Sequence, residues 1–196
     1  MKTELRTLFG QKLKSPKGLN TRPTTSRVRE ALMNILRTQL EESNWLDLFS
    51  GTGVMGCEAL QNGSTKVLAI ERNKKTAQIC QENLIKTASS LSRTKYIGVI
   101  PNDVNQALKK GIKNIGIKGF YDDIYFNFVY IDPPYKENKI YEKVLSELIK
   151  GNWIRKDSIV ICEHSSDIPI KIDSNWIATD RRLYGQSSLL FLTHQC

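Results

Sequence analysis

Two short stretches hold residues whose types and spacing can do chemistry. The first is Asp47-Leu48-Phe49-Ser50-Gly51-Thr52-Gly53-Val54-Met55-Gly56, a Gly-x-Gly-x-x-Gly that follows one predicted strand and opens a predicted helix. Glycines there let the backbone turn sharply and approach a ligand closely, and a helix N-terminus offers free N–H groups. Glu71 ends the next apolar run and can accept hydrogen bonds from a ribose diol. Together these features indicate a nucleoside-containing cofactor, and they suit a dinucleotide as well as any other; the plain alternative for the glycines is a tight structural turn. The second stretch separates the options. Tyr125–Ile131 reads as a buried strand running into Asp132-Pro133-Pro134-Tyr135. The prolines end regular structure and stiffen the backbone. A carboxylate, a carbonyl and an aromatic ring are thereby set at the carboxyl end of a central strand, the edge at which open α/β sheets bind ligands. A rigid turn with a solvent-facing Tyr135 would use the same residues, but a glycine loop at the matching edge favours a site.

The elements that must position these residues follow from periodicity. Strands are predicted at Trp45–Phe49, Lys66–Ile70, Lys95–Ile100, Tyr125–Ile131 and Ser158–Cys162, with helices at Val54–Gln61, Lys74–Ala88, Val104–Lys110 and Ile140–Lys150. Strands alternating with helices of this length imply right-handed crossovers and a parallel sheet covered on both faces. Two further runs, near Trp176–Thr179 and Ser188–Leu192, are expected to add an antiparallel hairpin. Upstream, Thr21–Ser26 announces a helix whose apolar face is Val28, Leu32, Ile35 and Leu36, with Arg27, Arg29 and Arg37 assigned to its other faces. Gly111–Gly119 reads as a surface loop. The expected organisation is a basic arm and helix over residues 1–40, then an α/β domain over 41–196.

Composition bounds the partners. The chain has 196 residues, 29 Lys and Arg against 20 Asp and Glu, and a net charge of +9. Residues 1–30 hold eight basic and two acidic side chains, so a surplus of six of the nine charges sits in the arm. A basic arm on a nearly balanced body points to a polyanion, the alternative being a solvated tail. Apolar residues at 40% and charged residues at 25% are ordinary for a globular chain. No apolar run approaches the roughly 20 residues that cross a bilayer. Met1–Arg6 leads into no apolar signal core, so secretion is not expected. Cys57, Cys80, Cys162 and Cys196 are scattered and His164 and His194 lie far from them, so neither a metal centre nor a disulfide framework is expected. Reduced thiols in a cytoplasm are the default.

Asp132-Pro133-Pro134-Tyr135 after a strand, with Asp47-x-Phe49-x-Gly51-x-Gly53 upstream, resembles the S-adenosylmethionine-dependent methyltransferases of exocyclic amino groups. The chain is most similar to the bacterial small-subunit (16S) ribosomal RNA (guanine-N2)-methyltransferases. Arg22-Pro23-Thr24-Thr25-Ser26-Arg27-Val28-Arg29-Glu30-Ala31-Leu32 resembles that family's N-terminal signature, and Arg182-Leu183-Tyr184-Gly185-Gln186 its closing one. The resemblance implies a Rossmann-like class I methyltransferase fold with a mostly parallel seven-stranded sheet. It implies S-adenosylmethionine as methyl donor, S-adenosylhomocysteine as product, and no metal. The implied partner is 16S ribosomal RNA within an assembling small subunit, met by a cytoplasmic monomer with no membrane association. Cofactor contact would fall to Asp47, Phe49, Gly51, Gly53, Glu71, Arg72, Asp103 and Val104. Asp47 would lie near the methionine end, Glu71 on the ribose, and Asp103 on the adenine amine or at a helix N-cap. RNA contact would fall to Lys12, Lys14, Arg22, Thr24, Arg27 and Arg29, with Thr24 also expected to cap the helix. His164 is expected to be structural.

In that reading Asp132, Pro133, Pro134 and Tyr135 are catalytic. Asp132 and the Pro133 carbonyl accept the two N–H bonds of a guanine amine, whose lone pair is otherwise delocalised into the ring, and Tyr135 stacks on the base. Three rivals stand beside it: an adenine-N6 methyltransferase, since the same tetrapeptide serves that base; a nicotinamide-dependent oxidoreductase, which leaves the tetrapeptide unexplained; and a non-catalytic RNA-binding assembly factor.

Overall fold

The computed structural model describes residues 4–16, 25–92, 94–121, 124–134 and 139–195. Five short apolar runs form parallel strands: β1 (Asn44–Leu48), β2 (Lys66–Ile70), β3 (Tyr96–Ile100), β4 (Phe128–Ile131) and β5 (Ile159–Ser165). The chain closes with β6 (Trp176–Tyr184) and β7 (Ser187–His194), giving the order β3-β2-β1-β4-β5-β7-β6 with β7 antiparallel to both neighbours. This is the seven-stranded architecture the resemblance implies. The central strands lack polar alternation because both faces are covered. On one face Trp45, Val67 and Tyr130 pack with α1 (Ser26–Leu36), α2 (Val54–Gln61) and α3 (Lys74–Ser89). On the other, Leu46, Leu48 and Val129 pack with α4 (Val104–Lys109) and α5 (Lys139–Lys150).

Register, more than any single residue, builds the functional edge. Leu48 pairs with Ile70 and Ile131, and Ile70 pairs with Ile100. The next residue along each chain (Phe49, Glu71, Pro101 and Asp132) therefore leaves its strand in one row. The order of strands reverses between β1 and β4, and such a switch point opens a crevice at the carboxyl ends.

Four expectations are corrected, and the alternative of a solvated tail is set aside for the described part of the arm. The arm is not a loose tail over its described part: residues 4–14 form a hairpin closed by the Arg6–Lys12 bridge, with Leu13 buried in the same core as Val28 and Leu32. The helix N-cap is Thr25 rather than Thr24, its hydroxyl accepting from Val28 N–H at 3.3 Å. The 111–119 segment is anchored and not a free loop, because Ile112 is buried in a 3-10 turn and Ile115 and Ile117 pack on the core. Strand β6 runs on to Tyr184, past a bulge between Ala178 and Asp180. Its outward Asp180, Arg181 and Arg182 suit a sheet edge that must not pair with another chain. The boundary at residue 40 is not a break in packing, since α1 shares the core of α2 and the sheet.

Candidate active site

The glycine loop is wound by three left-handed residues, Phe49 (φ 63°), Gly51 (φ 52°) and Gly53 (φ 78°). The half-buried Phe49 side chain packs on the core, holding a conformation that non-glycine residues seldom adopt. The two glycines face different surroundings. A Cβ at Gly53 would stand 2.6 Å from Cys80 Sγ, whereas one at Gly51 would meet no atom within 4 Å. The loop is therefore pressed against α3 on one side and open on the other, a cradle that a side chain at Gly51 would fill.

Two carboxylates support this loop through backbone amides. Glu71 accepts from Gly51 N–H at 3.1 Å with one oxygen and from Asn73 N–H at 2.8 Å with the other. Each oxygen keeps a further lone pair, so Glu71 can accept a diol while tied to the loop. Asp47 lies beneath the loop, 2% exposed, with Oδ2 accepting from Gly56 N–H at 3.2 Å. Burial pushes its carboxyl up to about 7, the Gly56 hydrogen bond opposing and the Glu71 charge adding to the rise. Among the described residues neither carboxylate has an ion-pair partner.

Asp103 caps α4, its Oδ1 accepting from Gln106 N–H at 3.2 Å, which bears out the N-cap reading. Val104 is buried in the core. Arg72 is exposed at the mouth of the β2 turn. Asp132 is half-buried at the end of β4, Pro133 is buried and Pro134 exposed. Arg22, Thr24 and Tyr135 lie outside the described residues.

Below Asp132 lies a buried network that the sequence did not single out. Tyr130 Oη donates to the Glu163 carboxylate, and Tyr141 Oη donates to the Glu163 carbonyl at 2.6 Å. Burial pushes the Tyr141 hydroxyl well up, with the charges of Asp132 and Glu163 adding to the effect. His164 Nδ1 lies 2.8 and 2.9 Å from the carbonyls of Ser165 and Ile168, and burial lowers its pKa, as suits a structural imidazole. Cys57, Cys80 and Cys162 are free, buried thiols, and burial pushes Cys57 up to about 12, so they are poor nucleophiles.

The candidate RNA contacts divide. Arg27 is exposed on α1. Lys12 pairs with Glu4, and Lys14 with Glu82 at 2.7 Å, both cations remaining solvent-accessible. Arg29 is placed contrary to expectation: it is 6% exposed, its Nη1 donating to Glu58 at 2.5 Å and to the Arg6 carbonyl at 3.0 Å. Helical spacing puts Arg29 in the buried stripe with Leu32, Met33 and Leu36, so no phosphate can reach its guanidinium. Glu58 also accepts from Leu8 N–H at 3.0 Å, so this pair pins the hairpin to α1 and α2. Burial holds the Glu58 carboxyl above its usual range despite the Arg29 charge.

Comparison with known proteins fits this geometry. Residues 7–193 match the model of a family described as "Conserved hypothetical protein 95". The Bacillus subtilis protein YlbH is 30% identical over 90% of this chain and 89% of its own. Ribosomal RNA small subunit methyltransferase D of Haemophilus influenzae is 28% identical over 90% of this chain and 84% of its own. Among solved structures, the Escherichia coli protein yhhF has the same fold, with a TM-score of 0.76 at 23% identity over 95% of this chain and 93% of that one. The Haemophilus influenzae protein HI0767 gives 0.68 at 27% identity over 86% and 96%. A family match that runs from the docked hairpin through β7 means that the chain belongs to the conserved hypothetical protein 95 family.

Proposed function

We propose that the protein transfers a methyl group from S-adenosylmethionine to the exocyclic N2 amine of a guanine in small-subunit (16S) ribosomal RNA, acting as a cytoplasmic monomer on an assembling subunit. The observation that carries the reading is the placement of Asp132-Pro133 in one row with the glycine loop and Glu71, across the switch point of the sheet. The relatives named ribosomal RNA small subunit methyltransferase D support the substrate class. When bound, S-adenosylmethionine supplies an electrophilic methyl on a sulfonium centre. The open side of Gly51 admits it, Glu71 accepts from its ribose, and Asp103 from its adenine amine. The Asp132 carboxylate and the Pro133 carbonyl each accept one N–H of the guanine amine, which draws the nitrogen toward a pyramidal geometry and its lone pair out of conjugation with the ring. Once the amine has received the methyl, an Asp132 oxygen would take the proton that the nitrogen gives up. Positioning in line and acceptors aimed at the charge developing on nitrogen supply the rate. The target base must be turned out of its stack to enter. Arg27, Arg22 and the exposed Lys12 and Lys14 are assigned to phosphates, and Tyr135 to stacking on the base.

Replacing Asp132 with Ala is expected to slow transfer by about 10²–10⁴-fold, the span of a lost acid–base group. S-adenosylhomocysteine affinity, read by calorimetry, should stay unchanged. Full transfer by Asp132→Ala would overturn the mechanism. Nucleoside analysis of the product should give N2-methylguanosine, and N6-methyladenosine in its place would overturn the substrate assignment.

A further inference from the structure

Helix α3 holds both halves of the proposed site by one side chain. Asn83 is 1% exposed, and its Oδ1 accepts from Lys14 N–H at 2.8 Å. Its Nδ2 donates to the Lys14 carbonyl at 3.0 Å and to the Thr52 carbonyl at 2.9 Å. Both amide hydrogens are thus committed, one to the arm and one to the middle of Gly51-Thr52-Gly53. Neighbours on the same helix complete the dock: Glu82 takes the Lys14 ammonium at 2.7 Å, and Lys86 Nζ donates to the Lys12 carbonyl at 3.1 Å. Leu13, between them, is buried. In sequence, Arg22-Pro23-Thr24 stands immediately before the Thr25 cap of α1.

A buried amide satisfied on all sides is common in a core. Here its partners belong to two segments assigned to different ligands. Opening the glycine loop breaks the Thr52 bond and leaves a buried N–H of Asn83 without its acceptor, which weakens the hold on Lys14. Conversely, a ligand that keeps the loop closed removes that opening and stabilises the arm by linkage.

We infer that Asn83 is a positioning residue that couples cofactor to RNA: a cofactor on the glycine loop fixes the arm, and an RNA on the arm fixes the loop. This rests on the methyltransferase reading above. Such coupling is reciprocal, so each ligand must tighten the other by the same factor.

The test uses the full chain, S-adenosylhomocysteine, and a transcript of small-subunit ribosomal RNA. In the wild type, saturating S-adenosylhomocysteine is expected to slow amide exchange at Lys14 and to tighten RNA binding by about fivefold or more, the lower end of ordinary coupling. Asn83→Ala is expected to bind each ligand alone while each leaves the affinity for the other unchanged. Equal coupling in a folded Asn83→Ala overturns the inference. Unchanged Lys14 exchange in the saturated wild type overturns it without recourse to a variant. Protection of Lys14 with no RNA binding supports the link from loop to arm and overturns the RNA substrate. A wild type that shows no thermal shift with S-adenosylhomocysteine overturns the methyltransferase reading, and the coupling with it.

Discussion

The docked arm and the glycine loop dispose of their charges in opposite ways. In the arm and α1, cations meet carboxylates: Arg6 and Lys12 with Glu4, Lys14 with Glu82, and Arg29 with Glu58. At the loop, Asp47 and Glu71 rest on backbone amides, and no described cation neutralises them. The surplus of six positive charges in residues 1–30 is therefore not the charge available to a polyanion, because acids of the body, Glu58 and Glu82, absorb part of it. Among the described residues the loop carboxylates are bound only by backbone N–H groups, which leaves oxygen lone pairs for a ligand. Within the arm the pairs also differ. Those at Glu4 and Glu82 are exposed and contribute little, whereas the Arg29–Glu58 pair is buried and fixes where the hairpin sits.

The contrast is broken most forcefully at that pair. Arg29→Ala leaves the buried Glu58 carboxylate with only the Leu8 N–H. Removing one partner of a buried pair costs about 3–5 kcal/mol, which urea unfolding would read directly. A loss below about 1 kcal/mol would show that the pair behaves like an exposed one. Replacing both partners, Arg29→Met with Glu58→Leu, should recover most of the loss, because the uncompensated charge is gone. A smaller effect is expected at the loop. Gly53→Ala places a Cβ at φ 78° and 2.6 Å from Cys80 Sγ. The left-handed penalty is about 1–2 kcal/mol, and S-adenosylhomocysteine affinity should fall with it. Adding Cys80→Ala should relieve the clash but not the backbone strain. Full recovery in that double variant would mean that Gly53 is needed only for space.

The glycine loop and the row of residues at the carboxyl edge were far more legible in the sequence than the arm, for a physical reason. Lys66–Ile70 and Val54–Gln61 have the same bounds in sequence and structure. Both are buried segments bounded by turn residues, so local pattern carries the information. Each residue of that row follows an apolar run, and parallel register then aligns them. The arm is held by long-range polar contacts instead. Nothing local in Leu5–Lys14 announces a hairpin whose partners are Glu58 and Asn83. One signal was available. Arg29 stands three and four residues before Leu32 and Met33, on the apolar stripe, and a cation at such a position calls for a buried acid. Asn83 gave no such signal, since an amide on a mixed helix is indistinguishable from a surface one. Strand β6 was clipped because its outward Asp180, Arg181 and Arg182 resemble a turn.

A subtler difference should appear in pH dependence. Asp47 has no cation to hold it ionised, and burial raises it from 3.8 to about 7. Between these values the folded state binds a proton that the unfolded chain has released. The unfolded state thus binds fewer protons, and stability falls as pH rises through the window. Near the upper end this amounts to about 1 kcal/mol per pH unit. Asp47→Asn keeps an oxygen for Gly56 N–H but cannot titrate, so urea midpoints of the variant should lack the decline between pH 6 and 7. An identical decline in both proteins would assign it to another group.

The smallest expected effect on stability is also the sharpest probe of which arm charges are free. Arg27 and Arg29 are two residues apart on one helix, yet Arg27 faces solvent and Arg29 is enclosed. Deleting residues 1–20 could not tell the two kinds of cation apart, because it would also take Leu13 out of the core and the Leu8 N–H from Glu58. A point change can. Arg27→Ala should alter stability by less than about 0.5 kcal/mol, as surface substitutions do. If Arg27 neutralises one phosphate, RNA affinity should weaken and its logarithmic salt slope should shrink by about 0.7–0.9. Lys14→Ala should shrink the slope by less, since Glu82 at 2.7 Å competes for its ammonium. Equal slopes for wild type and Arg27→Ala would place the phosphate contacts elsewhere. Equal changes for Arg27→Ala and Lys14→Ala would show that RNA displaces Glu82, and that the paired charges of the arm are a reserve drawn on during binding.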